Sequence, residues 1–179
     1  FYRGKNVAVV GGGDTAAEEA TYLANLCPKV YLLVRRDEMR ASTIMQERVK
    51  NTPNIEVLWH TEAEEILGDD SGVTGVRVVN NQTNEIREIE VSGFFVAIGH
   101  KPNTDIFKDF LEMDETGYLK VQSGSTKTNV EGVFATGDAA DRVYRQAVTA
   151  AGTGCMGALD AERFLAEKEF ELESQKEMA

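Results

Sequence analysis

An α/β fold is predicted by three observations on this 179-residue chain. An apolar, β-branched run at residues 6–10 breaks into glycines and then into helical periodicity. Two further apolar runs, at 29–34 and 54–59, read as parallel strands joined to the first by helices. Short, partly alternating segments at 62–67, 73–79 and 86–91 then read as an antiparallel meander inserted in the parallel unit.

In chain order, residues 6–10 (N-V-A-V-V) are apolar enough for a strand buried on both faces. Ala16, Ala17, Ala20, Tyr22, Leu23 and Leu26 carry the period of the helix that follows. Residues 29–34 (K-V-Y-L-L-V) are the second strand. Ser42 is a fitting cap for a helix running to 50, with Ile44, Met45 and Val49 on one face. Residues 54–59 (N-I-E-V-L-W) are the third strand. The meander is split by the turn-forming stretches 68–72 and 80–84. Residues 93–99 return as a buried strand that ends at a glycine.

The spacing Gly11-x-Gly13-x-x-Ala16 has a chemical logic. Gly11 turns tightly, Gly13 lets the backbone approach a pyrophosphate, and Ala16 packs helix against strand. The helix N-terminus, with Gly12, Asp14 and Thr15 around it, offers free N–H groups to the anion. The end of the second strand identifies the nucleotide. An NAD site would place an acid about 20 residues past the glycines, to accept from the ribose 2′-hydroxyl. Here stand Arg35, Arg36 and Arg40, three of the chain's 19 basic residues within six positions. Guanidiniums suit a 2′-phosphate, so NADPH is expected. The competing reading is a solvated basic loop. Residues 1–100 are therefore expected to form a Rossmann-like, three-layer NADPH-binding domain with an antiparallel β-meander.

Composition narrows the partners. A net charge of −11 argues against nucleic acid and against an anionic membrane surface. No apolar run approaches the ~18 residues of a membrane span, and no signal peptide is read, so a cytoplasmic location is expected. Cys27 and Cys155 lie too far apart in sequence for a Cys-x-x-Cys motif and read as buried thiols of a reducing cytosol. His60 and His100 are too scattered for a metal site, and none is expected. The chain opens without Met, and its first strand starts almost at once, which suggests a piece of something longer.

Beyond Pro102 the texture changes. Residues 104–111 read as a short helix, and 118–121 and 128–138 as strands, the second with Asp138 at its carboxyl end. Residues 145–165 read as a long helix, and 167–179 as a charged, frayed tail. Residues 101–179 have few strands and would make a poor independent domain. Asp138 alone reads equally as a turn or N-cap residue, and Glu18 and Glu19 as first-turn acids favouring the helix dipole.

Four signatures now stand in order: Gly11-Gly12-Gly13-Asp14-Thr15-Ala16 with Glu18-Glu19; Arg35-Arg36-Asp37-x-x-Arg40; Ala97-Ile98-Gly99-His100-x-Pro102-Asn103; and Gly137-Asp138 followed by Tyr144-Arg145-Gln146-Ala147. Together they resemble the carboxyl-terminal two-thirds of a bacterial low-molecular-weight thioredoxin reductase. The resemblance implies NADPH on the first two signatures, Glu18 included, with Ile98 and Gly99 near the nicotinamide half. It implies FAD on Asp138, with Ala139, Arg145, Gln146 and Ala147 lining the flavin. Residues 101–179 would then be the carboxyl-terminal half of an FAD-binding Rossmann-like domain.

The resemblance also implies hydride transfer from NADPH to FAD, electrons passed to a dithiol, exchange with thioredoxin, and a homodimer. In that family the redox-active Cys-x-x-Cys falls just before the position of Phe1, and the first FAD glycine fingerprint lies further upstream. No catalytic residue is therefore assigned in this chain, which alone is expected to be inactive. Val34 departs from relatives that carry a polar ring there. Alternatives of the same architecture are a ferredoxin-NADP reductase-type flavoprotein and the flavoprotein of the alkyl hydroperoxide system. A third is a non-catalytic nucleotide-binding module.

Overall fold

Uninterrupted valine and leucine runs form strands that bury both faces. In the computed structural model, which describes residues 1–177, β1 (Val7–Val10) pairs in parallel with β2 (Val30–Val34), and β2 with β3 (Ile55–Trp59). The antiparallel strands β4 (Thr61–Asp69), β5 (Gly72–Asn80) and β6 (Ile86–Glu90) follow as a separate sheet. The chain then returns as β7 (Gly93–Val96), parallel to β1 on its other side. The parallel sheet thus has the order β3-β2-β1-β7.

The alternation of side chains along each strand explains the layering. Val7 and Val9 of β1, with Val30 and Leu32 of β2, face helices α1 (Asp14–Ala24) and α2 (Thr43–Lys50). There they pack with Ala16, Ala17, Ala20, Leu23 and Val49. Ala8 and Leu33 point the other way, onto Val76, Val78 and Ile89 of the meander. Helices, parallel sheet and meander make three layers. Residues 93–99 depart from a fully buried strand. The ladder stops at Val96, which is exposed, as is Ile98, because β7 is an edge strand paired only with β1.

The chain divides into two compact units, one of Phe1–Gly99 and one from His100 onward. The second departs further from expectation. Residues 104–111 hold only one 3₁₀ turn, Asp105–Phe107. The stretches expected as strands are irregular, touching neighbours through isolated bridges at Met113–Leu119 and Lys127–Phe134. Carboxylates supply what ladders do not. Asp114 accepts from the Thr116 and Tyr118 amides, and Asp160 from the Thr126 amide and the Ser125 and Thr126 hydroxyls.

The long helix α3 runs Ala147–Glu177, so the tail does not fray at 167. Phe164 sits edge-on to Phe134, and Lys168 pairs with Glu131 and, one turn on, Glu171. Its Glu- and Lys-rich sequence also favours helix. Met178 and Ala179, the end of the expected tail, lie outside the described residues. At Gly157 a Cβ would come within 2.6 Å of Thr136 Cγ2, which marks the face of α3 that packs. Cys155 points elsewhere. It is exposed rather than buried, because the Gly- and Ala-rich start of α3 presents only one face to the segment beneath it. Among the described residues no helix is long and apolar enough to cross a membrane.

Candidate functional site

The carboxyl ends of β1, β2 and β7 open into a cleft of about 570 Å³. It lies where the chain order reverses across the sheet, between β1 and β7, the switch point at which open α/β sheets bind ligands. Its floor is the glycine turn. Gly11 has φ +149°, and a Cβ there would stand 2.3 Å from the Ala97 carbonyl oxygen and 2.8 Å from Ala16 Cβ. Only glycine lets β1, β7 and α1 meet this closely. Gly13 precedes α1 in extended backbone, with open space where a Cβ would be. The first-turn N–H groups of α1 have no intrahelical acceptors, so they can receive an anion.

Gly11, Gly12, Gly13 and Thr15, with Arg35, Arg36, Arg40, Ile98 and Gly99, line this one cleft. The three arginines are exposed. Among the described residues, no ion pair or side-chain hydrogen bond engages their guanidiniums. Positive charge is thus held ready about one edge of the cleft while the glycine turn supplies N–H donors within it. Thr61, Glu62 and Ala63 of β4, Glu38 and Phe94 also line the cleft. Sequence reasoning missed them. The return of β4 over the sheet is set by the meander's packing and leaves no local motif.

Three expected contacts lie off the cleft lining. Ala16 is fully buried against Gly11, the packing role its spacing implied. Glu18 sits on the exposed surface of α1 beside Thr21, Tyr22 and Asn25. It is also not a first-turn acid, because the helix begins at Asp14. Asp14 accepts from the Ser42 amide and hydroxyl, both at 2.8 Å, and these bonds hold its carboxyl below the ordinary range. Ser42 stands at the N-cap position of α2, yet its side chain makes no cap there.

In the second unit, Asp138 and Ala139 lie in a 3₁₀ turn, Gly137–Ala139, whose Gly137 amide donates to Thr153 Oγ1. The Asp138 carboxylate is exposed, with no protein partner among the described residues. Arg145 has φ +49°, and its guanidinium donates to Tyr118 Oη and the Arg142 carbonyl. Gln146 Nε2 donates to the Tyr144 carbonyl, and Ala147 opens α3.

Asp141 was not foreseen. Its carboxylate accepts from the amides of Val143, Tyr144 and Arg145 and from the Thr149 hydroxyl, and these bonds lower its pKa. It fixes the loop that presents Arg145 and Gln146. The sequence signal was there: an aspartate two to four residues ahead of amides it can reach. Cys27 is buried, its thiol donating to the Tyr2 carbonyl and pushed up in pKa by burial. Among the described residues no group of His, Cys, Asp and Glu could hold a metal ion.

The family model for pyridine nucleotide-disulphide oxidoreductases matches residues 2–154. A thioredoxin reductase of Dictyostelium discoideum is 58% identical over 165 residues, 92% of this chain and 51% of that protein. The solved thioredoxin reductase of Giardia duodenalis superposes with a TM-score of 0.79 at 46% identity, over 92% of this chain and 54% of that one. That of Streptococcus pyogenes MGAS5005 gives 0.84 at 33% identity, over 93% and 54%. The chain spans about half the length of the curated relatives it matches.

Proposed function

Because this chain belongs to the pyridine nucleotide-disulphide oxidoreductase family, we propose that it supplies the NADPH site and one side of the FAD site of a thioredoxin reductase. The observation that carries the proposal is the cleft itself. A glycine turn at a helix N-terminus forms its floor, and Arg35, Arg36 and Arg40 stand in its lining, their guanidiniums without a partner among the described residues. The turn holds a diphosphate by N–H donation. The guanidiniums take a 2′-phosphate, which an NADH site would have no use for. Ile98 and Gly99, just beyond β7, border the nicotinamide half.

The fit to NADPH rests on open space at Gly13, guanidiniums without a partner among the described residues and a cleft of suitable size. In the second unit, Asp138, without a protein partner among the described residues, is an acceptor for a sugar hydroxyl of FAD, while Arg145 and Gln146 are already oriented by their own hydrogen bonds. When bound, NADPH supplies a hydride and FAD accepts it. The chain's own residues bind and orient these groups. No catalytic residue is assigned here, and neither Cys27 nor Cys155 takes a redox role in this reading.

Thioredoxin as electron acceptor is supported by the names of the relatives. A homodimer and a cytoplasmic location complete the proposal. No observation favours a ferredoxin-NADP reductase-type protein, an alkyl hydroperoxide reductase flavoprotein or a non-catalytic nucleotide-binding module. Amide chemical-shift mapping tests the placement. NADP⁺ should move the amides of residues 11–15, 35–40 and 98–99. NADP⁺ shifts centred outside the cleft would contradict the proposal.

A further inference from the structure

An acid at the first position of α1 is a puzzle on the nucleotide reading. A carboxylate there favours the helix dipole, but it also stands at the terminus offered to a diphosphate. Its hydrogen bonds resolve the puzzle. Asp14 Oδ1 accepts from both the amide and the hydroxyl of Ser42, a residue 28 positions away at the start of α2. Two residues earlier, the Gly12 carbonyl accepts from the Arg40 and Ala41 amides at 2.6 and 3.0 Å. Gln46 Nε2 closes the same segment from α2, donating to the Met39 and Ala41 carbonyls. Met39 and Ala41 are buried. Between them Arg40 is exposed and lines the cleft.

Arg35 and Arg36 are mounted from the opposite layer. Asn81 Nδ2 donates to the Arg35 carbonyl at 2.9 Å, and the His60 amide to the Arg36 carbonyl at 3.2 Å. The basic edge of the cleft therefore has two supports. One is the meander; the other is the glycine turn, joined directly at the Gly12 carbonyl and again through Asp14.

We infer that Asp14 and Ser42 form a latch that fixes Arg40 relative to the glycine turn, so that Asp14 sets nucleotide preference as a positioning residue without touching the nucleotide. This rests on the NADPH reading of the cleft. The latch couples the element that holds the diphosphate to the element that holds the 2′-phosphate. An NADP-type nucleotide meets both at a fixed separation, whereas an NAD-type nucleotide uses only the first. Loosening the latch therefore acts on one nucleotide selectively.

The test measures dissociation constants for NADPH and NADH on the 179-residue chain and on Asp14→Ala, Asp14→Asn and Ser42→Ala, with Arg35→Ala/Arg36→Ala as reference. Asp14→Ala should lower the NADPH-over-NADH preference roughly tenfold, the scale of one hydrogen bond to a charged group. NADH affinity should stay within about twofold, since the glycine turn is intact. Asp14→Asn keeps an acceptor oxygen and should retain most of the preference, and Ser42→Ala should fall between. Hydrogen exchange at the Ser42 amide should quicken in Asp14→Ala and not in Asp14→Asn, a readout independent of nucleotide. Three outcomes overturn the latch: equal losses for both nucleotides in Asp14→Ala, identical behaviour of the Ala and Asn variants, or an unchanged preference in Asp14→Ala beside one lost in the arginine variant. Equal affinities of the unsubstituted chain for the two nucleotides would overturn the NADPH reading itself, and the latch with it.

Discussion

The two units solve the problem of holding a site in different ways. In Phe1–Gly99 apolar burial does the work: a sheet with both faces covered, and Val7, Val9, Val30 and Leu32 fully buried. Among the described residues the second unit has a small core of Leu111, Leu119 and Ala135, with Met113, Ala139 and Ala140 packed on it. Its loops are fixed by aspartates instead. Asp114, Asp141 and Asp160 each gather several N–H and O–H donors. A fold carried by an apolar core does not follow the charge of a few carboxylates. One carried by carboxylates follows the charge of those carboxylates.

The largest expected effect is in the first unit's core. Leu32→Ala removes a fully buried side chain from the helix-facing layer and should cost about 2–5 kcal/mol. Thermal unfolding followed by circular dichroism should show that loss. Nucleotide binding should weaken only as the folded fraction falls. A loss under about 1 kcal/mol would mean that the layer repacks and does not carry the cleft as described.

Acid separates the units next. Asp114 and Asp160 are held down to about 2 from an ordinary 3.8, Asp114 chiefly by the Thr116 hydroxyl and Asp160 chiefly by the Thr126 amide. A carboxyl whose pKa is lowered by folding stabilises the fold above its unfolded value and loses that contribution as pH falls through its folded value. Exchange protection at the Thr116, Tyr118 and Thr126 amides should therefore fall between pH 3.8 and about 2. The amides of β1 and β2 should hold longer. Equal loss in both units would erase the comparison. Asp160→Ala should reproduce the effect at Thr126 in neutral solution.

The parts legible in sequence are those with a local period or a fixed spacing. Val7–Val10 declares a strand by β-branching, Gly11 and Ala16 declare a turn and a helix contact by their separation, and Arg35, Arg36 and Arg40, close in sequence, do line one cleft. What was illegible joins distant positions. Nothing near Asp14 announces Ser42, 28 residues on. Nothing near Thr126 announces Asp160, 34 residues on. The strands expected at 118–121 and 128–138 failed for the same reason. A strand needs a partner along its length, and these stretches meet theirs only at single bridges. Cys155 was misplaced because small residues mark a packed helix face without saying which face packs.

The thiols give a smaller and sharper contrast. Cys155 is exposed, whereas Cys27 is buried and its thiol is raised in pKa by that burial. Under native conditions one thiol should react quickly with a maleimide or disulfide reagent and the other slowly, both becoming fast on unfolding. Peptide mapping should place the fast label on Cys155. A fast Cys27 would show that the edge of the first unit near Tyr2 opens more readily than its packing implies.

The central claim is that the first unit reads a 2′-phosphate through its arginines, and titration calorimetry tests it most directly. NADP⁺ should bind on the order of a hundredfold more tightly than NAD⁺, as expected from two charge-assisted contacts at a partly exposed site. Arg35→Ala/Arg36→Ala should remove most of that difference while leaving NAD⁺ binding in place. Equal affinity of the unsubstituted chain for the two nucleotides, or a preference untouched by the arginine substitutions, would contradict the account.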